Sequence, residues 1–236
     1  MTRRRALVAA AAALVVVGAA AAFVVARRGG DDLDVAVVGD SFMEQSRAQF
    51  LAHADARHDN AEVMALGGTG VCDWRPQFNR LLDQRPRDLV LSFAGNDLTK
   101  CMLRTPTPST PDQTAEEYAT DIGELVGRFR SLSPKTRIYL VVPPPVAKPQ
   151  FEANAAAMRA MYERFAADHP EITLVDVSGE LGPDQRFHAA LPCQSWEKAH
   201  CGADGTIELR RTDGIHLTRA GGERYARALM AALGQG

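Results

Sequence analysis

The stretch "DVAVVGDSF", Asp34–Phe42, decides how the rest of the chain is read. Val35–Val38 form an apolar run with no polar residue between them, and Gly39 and Asp40 end it. A strand open to water on one face alternates apolar and polar residues. A run without alternation suits a strand covered on both faces, as in a parallel sheet packed between helices. The residues that follow, "FMEQSRAQFLAHADA" (Phe42–Ala56), have a helical pattern. Strand, Gly-Asp-Ser turn and helix are thus packed into the first part of the folded region.

The same unit recurs along the chain. Further strands are expected over Ala61–Leu66, Asp88–Gly95, Arg137–Pro145 and Ile172–Ser178. Helical patterns cover Trp74–Arg85, Thr114–Leu132, Gln150–His169 and Arg219–Leu233. Alternating β and α elements imply a parallel sheet with helices on both sides. The expected fold is therefore α/β, a three-layer α/β/α sandwich around a sheet of about five parallel strands. Residues Gly179–Thr212 show no clear period and read as an irregular loop near the end of the domain. No internal repeat is visible.

Ahead of this domain, Ala6–Ala26 is uncharged and lies between Arg3–Arg5 and Arg27–Arg28. Such a run is long enough to cross a bilayer as a helix, with a signal peptide as the rival reading. "RRRAL" loosely resembles a twin-arginine export signal. Residues 1–30 are thus read as a membrane anchor or signal peptide with its linker, and 31–236 as the domain. An uncleaved anchor is favoured by the length of the run, and the arginines favour a cytoplasmic N-terminus with an exported domain. The chain has 27 basic and 29 acidic residues, a formal charge of −2; five of the basic ones precede Asp31, leaving 22 against 29, or −7, for the domain. An acidic domain argues against a nucleic-acid partner. The four cysteines, Cys72, Cys101, Cys193 and Cys201, suit two disulfides in an exported domain. The expected pairs are Cys193–Cys201, closing a short loop, and Cys72–Cys101. A zinc site using these cysteines and His200 is the alternative, although the spacings match no common zinc pattern.

Ligands of open parallel sheets bind beyond the carboxyl ends of the strands. After the first strand stands Ser41, after the second "GGTG" with Gly67, Gly68 and Gly70, after the third Asn96 and Asp97, and near the end "TDGIH" with Asp213 and His216. A serine hydroxyl becomes a nucleophile when a base takes its proton, and His216 can be that base. Asp213 can hold the imidazole in one tautomer and stabilise its protonated form. The oxyanion formed on attack at an ester needs donors already in place. The Ser41 N–H, one of the three glycine N–H groups and the Asn96 amide can supply them.

These four blocks, in this order and at these strand ends, resemble the SGNH/GDSL hydrolase family. Its name lists the serine, glycine, asparagine and histidine that match Ser41, Gly67, Asn96 and His216, and its Asp-x-x-His pair matches Asp213 and His216. The resemblance covers roughly residues 34 to 233. It implies a flavodoxin-like three-layer fold, ester hydrolysis, and Gly67 as the oxyanion glycine, with Gly68 and Gly70 close by. Met43–Ser46 contains no glycine, a departure from the longer lipase-like signature that points to the compact deacetylase-like branch.

Each block has a plainer reading. Gly-Asp-Ser alone is a strand-to-helix turn with a serine N-cap, and Asn-Asp or Asp-Gly alone is a turn. Their joint order favours catalysis. Trp74 and Asp97 are candidates for substrate contact. For Trp74 and Trp196 the default is packing, and for Asp40 and Asp97 it is structural hydrogen bonding. The other histidines read as solvated or loop residues. The expected activity is a serine esterase acting on short acyl, chiefly acetyl, esters of cell-envelope carbohydrate, monomeric and without cofactor or metal. Acyl transfer by the same acyl-serine chemistry and a non-catalytic carbohydrate-binding module are the alternatives.

Overall fold

The computed structural model describes residues 33–234 except 100, 104–106 and 109; the segment read as anchor or signal peptide lies outside the described residues. Among the described residues no helix is long and apolar enough to cross a membrane.

Five strands form one sheet: β1 (Val35–Gly39), β2 (Ala61–Ala65), β3 (Asp88–Ser92), β4 (Arg137–Val142) and β5 (Ile172–Asp176). Their order is β2-β1-β3-β4-β5, and every pairing is parallel. The helices between them are α1 (Ser41–Ala56), α2 (Arg75–Gln84), α3 (Pro111–Leu132) and α4 (Pro149–Asp168), and α6 (Arg219–Leu233) follows after a short α5 (Ser178–Leu181). The apolar run of β1 is buried throughout, and its side chains serve both faces. Ala36 and Val38 join the core shared with α2, α3 and α4, whereas Val35 and Val37 join the core shared with α1 and α6. This double burial is why the run carries no polar residue.

The strands end earlier than the sequence reading has them, at Ala65, Ser92, Val142 and Asp176. The residues beyond, such as Leu66, Phe93–Gly95 and Pro143–Pro145, leave the hydrogen-bonded ladder to form the loops of the carboxyl rim. Helix α3 starts three residues before the expected Thr114, because the Thr110 side chain accepts from Gln113 N (3.2 Å) and Pro111 takes the first helical position.

The stretch read as irregular holds structure of its own. Strands β6 (Ala190–Pro192) and β7 (Thr206–Glu208) pair antiparallel, with a 3₁₀ turn (Ser195–His200) between them. Three-residue strands are too short to show a period. A buried ion pair fastens this excursion to α6: Arg224 donates to Glu197 at 2.6 and 2.8 Å and to Pro192 O at 2.8 Å. Trp196 packs under the Arg227 guanidinium, 4.1 Å above its ring, in agreement with the packing default.

Both disulfides are present, Cys72–Cys101 and Cys193–Cys201, with Cα separations of 5.9 and 6.0 Å. The four cysteines are therefore not available as zinc thiolates.

Candidate active site

The sheet order reverses between β1 and β3, since the chain runs from β1 to the β2 edge and returns to β3 on the other side. A crevice opens at such a point, beyond the carboxyl ends of the two strands. Ser41 begins α1 directly after β1, and Asn96 follows β3. Gly39 makes the close junction feasible. A Cβ there would lie 2.7 Å from Ser92 O and 2.8 Å from Met43 Cβ. The helix N-cap is Asp40 and not the serine, its Oδ1 accepting from Phe42 N at 3.1 Å. Capping by the neighbour leaves the Ser41 hydroxyl free of that duty.

Asp40 is buried and serves as the hub of the crevice. Its Oδ2 accepts from Ala94 N (2.8 Å) and from Asn96 Nδ2 (3.2 Å). Burial raises its pKa to about 6, against the opposing pull of the Ala94 and Phe42 N–H groups and of the nearby His216. Asn96 Nδ2 also donates to Thr69 O at 3.1 Å, so its amide ties the β3 loop both to Asp40 and to the glycine turn after β2. Gly67 borders Ser41: a Cβ built on it would meet Ser41 Cβ at 3.4 Å. Its N–H donates to Glu44 Oε2 at 2.7 Å.

Asp213 and His216 come together in one tight turn. Asp213 Oδ1 accepts from the backbone N of Ile215 (2.8 Å) and of His216 (2.9 Å), and Oδ2 lies 2.7 Å from His216 Nδ1. Burial alone would raise the carboxyl pKa of Asp213, but these two N–H groups and the ring hold it well below the usual carboxylate range. Nδ1 being engaged, Nε2 is left for a proton from a nucleophile. Gly214 holds the turn at φ 71°, and a Cβ there would meet Ala147 Cβ at 2.6 Å. No hydrogen bond joins Ser41 and His216 among the described residues.

Two side chains that sequence reading passed over fix this turn. Arg210 is buried and donates to Ile215 O (2.8 Å) and Pro145 O (3.0 Å); its guanidinium lies 5.4 Å from the centre of the Phe42 ring. Burial lowers its pKa to about 10. Gln45, one turn beyond Ser41, accepts from Leu217 N at 2.6 Å and so ties the serine's helix to the histidine's loop. Gln45 stands within the stretch where the longer signature would carry a glycine. Only that departure hinted at it.

Of the two candidate substrate contacts, Asp97 is turned to α4, where its Oδ2 accepts from Asn154 Nδ2 at 3.1 Å. Trp74 is half-buried, packs against the core and donates from Nε1 to Thr69 Oγ1 at 3.0 Å, beside the glycine turn.

The family model described as "Protein of unknown function (DUF459)" matches residues 34–232, almost the whole of the described domain. The chain belongs to this family. No curated protein sequence matches the DUF459 chain. Among solved structures it is similar to Axe2, an acetylxylan esterase from Geobacillus stearothermophilus, at 14% identity and TM-score 0.58, covering 86% of this chain and 96% of that one. A GDSL-like lipase from Bacteroides thetaiotaomicron matches at 14% identity and TM-score 0.57, with 86% and 89% covered. The C-terminal catalytic domain of peptidoglycan O-acetyltransferase A from Streptococcus pneumoniae, carrying a methylsulfonyl adduct, matches at 17% identity and TM-score 0.55, with 86% and 93% covered. The DUF459 domain therefore has the SGNH hydrolase fold, and the expected three-layer sandwich is what the chain forms.

Proposed function

We propose that the chain is a serine-dependent esterase acting on short acyl esters, with acetyl esters of cell-envelope carbohydrate as the substrate class. The observation that carries this reading is the Asp213–His216 contact of 2.7 Å, in a turn joined through Gln45 to the helix that begins with Ser41. Ser41 Oγ attacks the ester carbonyl while its proton passes to His216 Nε2. The oxyanion is held by the Ser41 backbone N–H, by the Gly67 N–H in exchange for Glu44, and by one Asn96 amide N–H in exchange for Thr69 O or Asp40. The tetrahedral intermediate expels the alcohol, which takes the proton from His216, and an acyl-Ser41 remains. Water, deprotonated by the same ring, attacks the acyl group and releases the acid. Asp213 keeps the imidazole in the tautomer that both steps require.

The test is turnover of p-nitrophenyl acetate, butyrate and octanoate by the full-length protein beside Ser41→Ala. Ser41-dependent release of nitrophenol with acetate preferred supports the reading. Equal background rates in folded, oxidised samples of both proteins would overturn it.

The likeness to the Streptococcus pneumoniae O-acetyltransferase domain favours a second reading, in which a sugar hydroxyl takes the acyl group in place of water. Mass analysis of products formed with an added oligosaccharide acceptor separates the two. For location, we propose that residues 1–30 anchor the domain at the outer face of the cytoplasmic membrane. The uncharged run between arginines and the two disulfides support it. Recovery of the chain in the soluble fraction with an N-terminus beyond residue 20 would replace the anchor with a cleaved signal peptide.

A further inference from the structure

The glycine turn after β2 has a second neighbour. Gly67 lies against Ser41, and the residues on either side of it, Leu66 and Gly68, border a cavity of about 380 Å³. The rest of its wall comes from Thr69, Asp73, Trp74, Gln77 and Thr99. The volume lies in the range of small-molecule sites. An acetyl group, with two carbons, would occupy a small part of it, so this space is not shaped for the acyl side of an acetyl ester.

The wall combines one aromatic ring with polar groups. Trp74 is fixed by its Nε1 hydrogen bond to Thr69 Oγ1, and Thr69 Oγ1 in turn donates to Leu66 O at 2.7 Å. Asp73 Oδ2 accepts from Gly70 N at 2.8 Å. The Gln77 amide oxygen is buried and has no hydrogen-bond partner. An unpaired buried acceptor is costly, and Gln77 is one of the residues that line the cavity. An aliphatic chain has no donor to offer. A pyranose ring has both parts of the match: a C–H face that packs on an indole, and hydroxyls that donate to an amide or carboxylate.

We infer that this cavity is the alcohol-side subsite of the ester site, in which a sugar ring packs on Trp74 and a sugar hydroxyl donates to the Gln77 amide. The inference rests on the esterase reading of Ser41. The loop carrying Thr99 is joined to the Trp74 segment through Cys72–Cys101, and Thr99 Oγ1 lies 3.1 Å from Cys101 Sγ. The two walls are therefore held at a set distance.

The experiment uses the full-length protein as wild type, Trp74→Ala, Trp74→Phe and Gln77→Leu. For each, kcat/KM is measured on O-acetylated xylotriose, O-acetylated chitotriose, p-nitrophenyl acetate and p-nitrophenyl octanoate. In parallel, Ser41→Ala and Ser41→Ala/Trp74→Ala are titrated calorimetrically with the two acetylated sugars. The ratio of kcat/KM for the preferred acetylated sugar over p-nitrophenyl acetate falls about tenfold or more in Trp74→Ala and about three- to tenfold in Gln77→Leu, and Trp74→Phe restores most of it. Sugar binding by Ser41→Ala is lost in the double variant. Unchanged ratios in folded Trp74→Ala and Gln77→Leu, or a preference for p-nitrophenyl octanoate that depends on Trp74, would overturn the subsite and assign the cavity to an acyl chain or to no ligand. If wild type lacks Ser41-dependent turnover of every ester, the esterase reading has failed by itself. The calorimetric arm then still decides the sugar site.

Discussion

The Glu44 carboxylate and the Gly67 backbone N–H are hydrogen-bonded at 2.7 Å, one helical turn beyond Ser41. An oxyanion formed on Ser41 would need that same N–H and would meet the exposed carboxylate as a repelling neighbour. Glu44→Ala removes the competitor. The expected outcome is a rise of about three- to tenfold in kcat/KM for p-nitrophenyl acetate, equivalent to roughly 1 kcal/mol of transition-state stabilisation. A fall in rate with unchanged folding would show that Glu44 supports the turn and that Gly67 is not the donor.

Asp213→Asn tests the orienting role. The replacement amide still accepts from Ile215 N and His216 N through its oxygen, but its NH₂ then faces His216 Nδ1. The imidazole is driven to the wrong tautomer, and kcat is expected to fall by about 10³–10⁴. The carboxyl of Asp213 stays ionised well below the usual carboxylate range. Its own titration therefore contributes nothing to the wild-type activity profile above about pH 4. Near-normal kcat in the variant would remove Asp213 from the mechanism.

Asp40 links pH to stability. Its folded-state pKa of about 6 lies above the ordinary value of 3.8, so the folded protein holds this proton more tightly than the unfolded chain. The contribution is full below about pH 4 and is lost as pH rises through about 6, a change on the order of 3 kcal/mol. Relative to wild type, Asp40→Asn should gain melting temperature progressively from pH 4 to pH 7. A difference that stays constant over that interval contradicts the assignment. The same variant places an NH₂ where Oδ2 accepts from Ala94 N and Asn96 Nδ2, so activity is expected to fall by about tenfold to a hundredfold through displacement of Asn96.

The two disulfides differ in the chain they enclose, with separations of 29 and 8 residues. Loop-closure entropy predicts that removing Cys72–Cys101 costs about 3.5 kcal/mol and removing Cys193–Cys201 about 2.5 kcal/mol. Denaturant titration of Cys72→Ser/Cys101→Ser and Cys193→Ser/Cys201→Ser should give that order. The reverse order would mean that the buried Glu197–Arg224 pair depends on the shorter loop more than chain entropy implies.

The sheet and most helices were legible because Val35–Val38 and its counterparts must be apolar on both faces, and that pattern is local. Strand ends were less so, since residues such as Phe93 remain buried after the ladder has stopped. Ser41, Asn96, Asp213 and His216 could be named because their types and order carry chemistry. Whether they act together is a separate matter, tested by the variants above. Glu44, Gln45 and Arg210 were not legible. Each matters through a contact with a distant backbone group, and an exposed glutamate or a buried arginine announces no partner in sequence. The β6–β7 pair escaped notice because a strand of three residues ending in Pro192 has no alternation to see.

Helices α1 and α6 pack on each other, with Phe42 and Tyr225 stacked 6.3 Å apart and Gln45 bridging to Leu217. Ser41 and His216 stand 175 positions apart in the chain. On the proposed mechanism, the helix bearing the nucleophile is made early during synthesis and waits, without its base, for nearly the whole domain to follow. On the same mechanism, a chain interrupted before His216 would present the serine with no base to activate it. If Ser41 and His216 act as proposed, the order of manufacture itself keeps an unfinished molecule chemically silent until the His216 turn has been made and the final helix docks.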